Sequence, residues 1–139
     1  MKTFGQLFEE RRGVVDNGAY LRSNASELFT GTRFALREGM PSAPSAGVLL
    51  GIAFYSLHDL MVLDEFVQRS RNSSQPVNLH VQVFDILVLK SMQDVEALYP
   101  GLAPAFSTPM IGVWEKGELI EKGCGMGQAQ RILGALFAE

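Results

Sequence analysis

Few residues in this chain have the type and spacing to carry chemistry, and most of what they could do is excluded by simple counting. The 139 residues include one cysteine and two histidines. Thiol-disulfide exchange needs an attacking thiolate and a second sulfur to resolve the mixed disulfide, so Cys124 cannot run that cycle within one chain. One thiolate with His58 and His80 also makes a poor zinc ligand set, so no metal and no cofactor is expected. Two readings of Cys124 stand. It is either a small, partly buried residue at a strand end, or a thiol activated beside Lys122 to form a sulfenic acid or mixed disulfide.

The other polar candidates read more simply. His58 and Asp59 are consecutive, so on a helix their side chains diverge instead of forming a dyad. Asp59 suits the first turn of a helix, where the dipole favours a negative charge, and His58 suits the solvent side of that turn. Ser56 lacks the Gly-x-Ser-x-Gly frame of a nucleophile elbow, and no phosphate-binding loop of the Gly-x-x-x-x-Gly-Lys type occurs. Gly123, Gly125 and Gly127 share the spacing of part of a dinucleotide motif, but they follow a hairpin pattern and not a parallel strand.

Composition narrows the partners. Residues 1–40 hold six Lys/Arg against five Asp/Glu, and residues 41–139 hold six against ten, so no basic face for nucleic acid is expected. The Glu9-Glu10-Arg11-Arg12 cluster reads as a solvated helix end. The longest apolar run, residues 47–55, is far shorter than the roughly 20 residues a membrane span needs. Met1 to Gln6 shows no apolar core followed by a small-residue cleavage site, and with one cysteine a reducing, cytoplasmic setting is expected.

The elements that must position these residues follow from periodicity and caps. Thr3 and Gln6 form a capping-box pattern for a helix over residues 4–12, ending at Gly13. A second helix is expected over residues 26–37, with Leu28, Phe29, Ala35 and Leu36 on one face. This amphipathic lead, residues 1–40, has to cover its apolar faces against the rest of the chain or a partner subunit. Residues 41–47 are a Pro- and Ser-containing loop. Val48 to Tyr55 is a continuous apolar run, the pattern of a central strand buried on both faces.

Ser56 caps the next helix, which runs to about Arg71 with Leu57, Leu60, Met61, Leu63, Phe66 and Val67 apolar. Tyr55, Leu57 and Met61 are read as core, or, if exposed, as interface residues. Residues 72–76 form a turn, and a second strand covers residues 77–87. Ser91 and Asp94 cap a short helix that stops at Pro100-Gly101. Residues 110–121 form a β-hairpin about Lys116-Gly117, and a last helix starts near Gln128. Strand-helix-strand units are parallel and right-handed as a rule, so the terminal hairpin makes the sheet mixed.

The stretch Thr108-Pro109-Met110-Ile111-Gly112-Val113-Trp114-Glu115-Lys116-Gly117-Glu118-Leu119, set after this strand-helix-strand order, resembles the thioredoxin-like superfamily. The resemblance covers residues 47–138. It implies an α/β fold: a thioredoxin-like three-layer α/β/α sandwich on a mixed sheet of about four strands over residues 47–139, with residues 1–40 as a helical N-terminal extension. It also implies that Pro109 is the family's cis-proline, facing the redox loop; a trans proline opening an edge strand is the alternative. The redox-loop position reads Phe54-Tyr55-Ser56-Leu57-His58-Asp59 and holds no cysteine. The family's buried acid is missing as well, with Ala53 near its place, and the Tyr99–Pro109 segment is longer than usual.

These observations lead to the expectation of a redox-inactive, non-catalytic protein-binding or assembly-chaperone module. Its surface would consist of Tyr55, Ser56, Leu57, His58, Asp59, Thr108, Pro109, Gly123, Cys124 and Gly125. The partner is another polypeptide or a second copy in a homodimer. The alternative is a single-cysteine thiol redox enzyme or sensor that uses Cys124.

Overall fold

The computed structural model describes residues 2–14, 17–72, 80–104 and 107–137. Val48 is the reference point of the sheet. It stands in register with Val81 on one side and with Val113 on the other, so the three expected central strands belong to one sheet.

Five strands make up that sheet: β1 (Phe34–Leu36), β2 (Gly47–Ile52), β3 (Val81–Asp85), β4 (Met110–Glu115) and β5 (Glu118–Cys124). Their order is β1-β3-β2-β4-β5. β3 runs parallel to both β1 and β2, whereas β4 is antiparallel to β2 and β5. Six α-helices are found among the described residues: α1 (Phe4–Glu10), α2 (Asn17–Ser23), α3 (Ala25–Leu28), α4 (Leu57–Asn72), α5 (Met92–Leu98) and α6 (Met126–Leu136). The chain is thus a mixed α/β protein on a five-stranded mixed sheet.

Alternation along the strands sorts the core into two faces. Val48, Leu50, Ile52, Val81, Val83, Ile111 and Val113 cluster with Leu60, Leu63 and Phe66 of α4 and Ile132 and Leu133 of α6. Leu49, Phe84, Met110 and Trp114 cluster with Val95 and Leu98 of α5 and with Tyr99. Gly112 is required on the second face, because a Cβ there would stand 2.6 Å from the Trp114 ring and 2.9 Å from Tyr99. The hairpin turn places Lys116 and Gly117 at φ 51° and 79°, the two left-handed positions of a tight two-residue turn.

Local signals explain several boundaries. The capping box at α1 forms in full: the Thr3 hydroxyl accepts from the Gln6 amide at 3.1 Å and Gln6 Oε1 accepts from the Thr3 amide at 2.8 Å. At α5 the Ser91 hydroxyl accepts from the Asp94 amide. The expected first helix is shorter, ending at Glu10, and the last begins two residues earlier, at Met126.

The lead segment corrects the sequence reading. Residues 26–37 are not one helix: α3 ends at Leu28, Gly31 takes φ 76°, and Phe34 to Leu36 become β1. The Arg37 amide donates to Val83 O and the Val81 amide to Arg33 O, so β3 offers this short run the ladder bonds that local periodicity could not reveal. The first 40 residues are therefore not a purely helical extension, and the sheet has five strands where about four were expected. Phe4, Leu7, Leu21, Leu28 and Phe29 are buried in the α4-side core of the same chain. α2 was not anticipated, since Gly18 and Ser23 mask its pattern.

The second central strand is also shorter, Val81–Asp85, and is followed by a 3₁₀ turn over Ile86–Val88. The expected start of that strand at residues 77–79, and most of the turn before it, fall outside the described residues. α4 continues to Asn72.

Candidate functional site

The end of β2, the start of α4 and the start of β4 meet where the resemblance places its redox loop. Ser56 caps α4, its hydroxyl accepting from the Asp59 amide at 3.4 Å. The carboxylate does not complete a capping box. Asp59 Oδ2 instead accepts from the backbone N–H of Ala53 at 2.9 Å. Asp59 is the acid of the first turn of α4, as expected, and at 3% exposure it is buried.

Burial pushes the Asp59 carboxyl above the usual aspartate range. The Ala53 N–H and the Thr108 and Ser56 hydroxyls pull in the opposite direction by favouring the charged form. Asp59 thus joins the β2 end to the first turn of α4. The Thr108–Pro109 peptide bond is cis, as is Ala103–Pro104, and β4 is an interior strand of the sheet.

The bend at Gly123 to Gly125 is brought to the same edge. Cys124 stands opposite Met110, and the Gly125 amide donates to Pro109 O at 3.0 Å. The Cys124 side chain is half-buried against the α5-side cluster, on the other face of the sheet from α4. The thiol and the Asp59 carboxyl therefore do not converge. Lys122 extends toward Gly101, where its Nζ would stand 3.0 Å from an added Cβ.

Tyr55 is 62% exposed and Met61 57% exposed, while Leu57 is half-buried and His58 is exposed. Tyr55 and Met61 are consequently not core. Met126, at the start of α6, is also exposed. His80 is exposed at the opposite end of β3, and no group of three metal-ligating side chains forms among the described residues. No helix among them is long and apolar enough to cross a membrane.

Three acidic roles escaped sequence reasoning. Asp64 accepts from the amides of Phe4 and Gly5 at 2.9 and 2.8 Å and so fastens the start of α1 to α4. The signal was present: Asp64 lies four residues after Leu60 and three before Val67, a position of the apolar stripe. Asp85, at the end of β3, is paired with Arg22 of α2 and also accepts from the Leu87 amide at 3.0 Å. Asp59 itself sits between apolar neighbours Leu57 and Leu60, the sole hint that its side chain turns inward.

No family model, curated protein or solved structure matches the chain.

Proposed function

We propose that this chain is a redox-inactive, thioredoxin-like protein that docks another polypeptide, or a second copy of itself, through the exposed side chains at the start of α4, Tyr55, His58 and Met61, beside Thr108 and Gly125, with Asp59, Pro109 and Gly123 buried and outside the contact surface. The observation that carries this reading is the pairing of two exposed apolar side chains, Tyr55 and Met61, with a cysteine-free helix start whose buried acid, Asp59, is engaged with the backbone of Ala53. Aromatic and methionine side chains are enriched at protein interfaces, where they lose water-exposed apolar area on binding. The acid acts on structure: it ties the β2 end to α4 and so presents the face in one shape.

The strand order, with a parallel β-α-β unit followed by an antiparallel hairpin and a closing helix, supports the thioredoxin-like assignment. Catalysis of disulfide exchange is not part of the reading, because one chain carries one cysteine.

A photo-crosslinking amino acid at position 55 in the full chain, compared with the same group at the exposed Gln93 of α5, tests the proposal. Discrete adducts from position 55 that disappear with Thr108→Ala, and none from position 93, are expected. Identical adduct patterns from the two positions, or indifference to Thr108→Ala, would overturn it.

A further inference from the structure

β1, β3 and β2 run parallel, so Leu36, Asp85 and Ile52 end at one edge of the sheet. In open α/β sheets the crevice beyond such ends is where ligands bind, because the loops that follow the strands diverge there. Here the residues that follow all three strands line one cleft: Arg37 and Glu38 after β1, Leu87 after β3, and Phe54 and Tyr55 after β2.

The cleft has two lobes that share Arg22, Asp85 and Leu87. One lobe, about 350 Å³, is walled by Tyr55, Ala19 and Val14, with the buried Phe54 behind them. The other, about 400 Å³, holds Arg37, Lys90 and Glu38. Each lies in the size range of small-molecule sites.

The chemistry of the lobes differs. Arg22 and Asp85 neutralise each other across the shared wall, with side chains 29% and 8% exposed. Among the described residues Arg37 has no carboxylate partner and the Lys90 ammonium donates to Leu87 O, at 2.9 Å, without an ion-pair partner. With Glu38 as the one other charge on that side, the polar lobe carries a net positive charge. In the apolar lobe Asn17 Oδ1 is buried and finds no donor among the described residues.

We infer that this cleft is a binding site for a small amphipathic anion, a carboxylate or phosphate head on Arg37 and Lys90 with a flat apolar body against Tyr55. The ion pair of Arg22 and Asp85 sets the wall between the lobes, so a ligand must bridge over it to use both. This site does not rest on the docking reading, although Tyr55 borders both surfaces.

The test is an amide-resolved NMR titration of the full chain with phenyl phosphate, with inorganic phosphate and benzyl alcohol as separate arms. Saturable shifts at Arg37, Leu87 and Tyr55 with a Kd of about 1 mM or lower are expected, as befits a fragment of this size. Either half-molecule alone should bind at least about tenfold more weakly. The variant Arg37→Gln/Lys90→Gln, at exposed positions that leave the core intact, should weaken phenyl phosphate by about tenfold or more. Absence of saturation by about 10 mM, shifts centred elsewhere, or equal affinity in the double variant would overturn the site. Inorganic phosphate matching phenyl phosphate would overturn the role of the aromatic wall.

Discussion

The backbone N–H of Ala53 donates to Asp59 Oδ2 at 2.9 Å, so the last turn of the chain before α4 is tied to that helix through a carboxyl group that solvent barely reaches. Burial raises the folded-state pKa of Asp59 above the ordinary value of 3.8. Between those two values the folded state keeps a proton that the unfolded chain has released, so the contribution of Asp59 to stability is full at low pH and declines as pH rises through the window. Asp59→Asn keeps an oxygen for Ala53 and removes the cost of burying charge. It should be at least as stable as the parent at neutral pH, with the difference vanishing below about pH 4. Urea unfolding at both pH values checks this, and a less stable variant at neutral pH would contradict it.

Asp64→Ala should loosen α1. It leaves the amides of Phe4 and Gly5 without their acceptor, and Phe4 is 1% exposed. A buried donor without a partner costs about 1–3 kcal/mol. Hydrogen exchange should speed up in residues 4–10 more than in β2 or β4, and uniform acceleration across the chain would count against the local role.

Tyr99→Phe removes a hydroxyl that lies within hydrogen-bond reach of Leu49 O and, at 3.5 Å, Met110 O. The hydroxyl is wholly buried, donates to Leu49 O at 3.0 Å, and burial holds its pKa well above that of a free phenol. The ring stays in place 5.9 Å from Trp114, so packing is retained. A loss of about 1 kcal/mol is expected, read from urea unfolding followed by Trp114 fluorescence.

Gly112→Ala should be far more costly than its one added methyl suggests. The new Cβ would meet the Trp114 ring at 2.6 Å and the Tyr99 ring at 2.9 Å in the interior strand β4, so the indole must shift to admit it. Overpacking of this kind costs about 1–3 kcal/mol. The indole should move toward solvent, and an unchanged Trp114 emission maximum would oppose the prediction.

Arg22→Met strands the Asp85 carboxylate in a nearly buried position, whereas Arg22→Met/Asp85→Asn removes the charge as well. Breaking a fully buried pair costs about 3–5 kcal/mol, and the partial exposure of Arg22 reduces this to about 2 kcal/mol. The double variant should recover part of that loss. Additive effects of the two substitutions in a double-mutant cycle would show that the pair is not coupled.

Much of the architecture was legible because its signals are local. The Thr3 and Gln6 capping box, the Ser91 cap, the continuous apolar run of β2 and the Lys116-Gly117 turn each depend on residues within a few positions of one another. The candidate face was legible as a set of positions, but the exposure of Tyr55 and Met61 was not. An apolar residue at a helix start carries no mark of which side its neighbours will cover.

The amino-acid order by itself determined that one cysteine cannot sustain a dithiol cycle and where most helices and the hairpin begin, because composition and short-range hydrogen bonding decide both. Tertiary structure alone decided that Phe34 to Leu36 is a strand, since three residues gain ladder bonds only when β3 lies beside them. It also decided the fates of three acids, Asp59, Asp64 and Asp85. A carboxylate turns inward only where donors outside its own element meet it, at Ala53, at Phe4 and Gly5, and at Arg22, and those meetings exist only once strands and helices are set against one another.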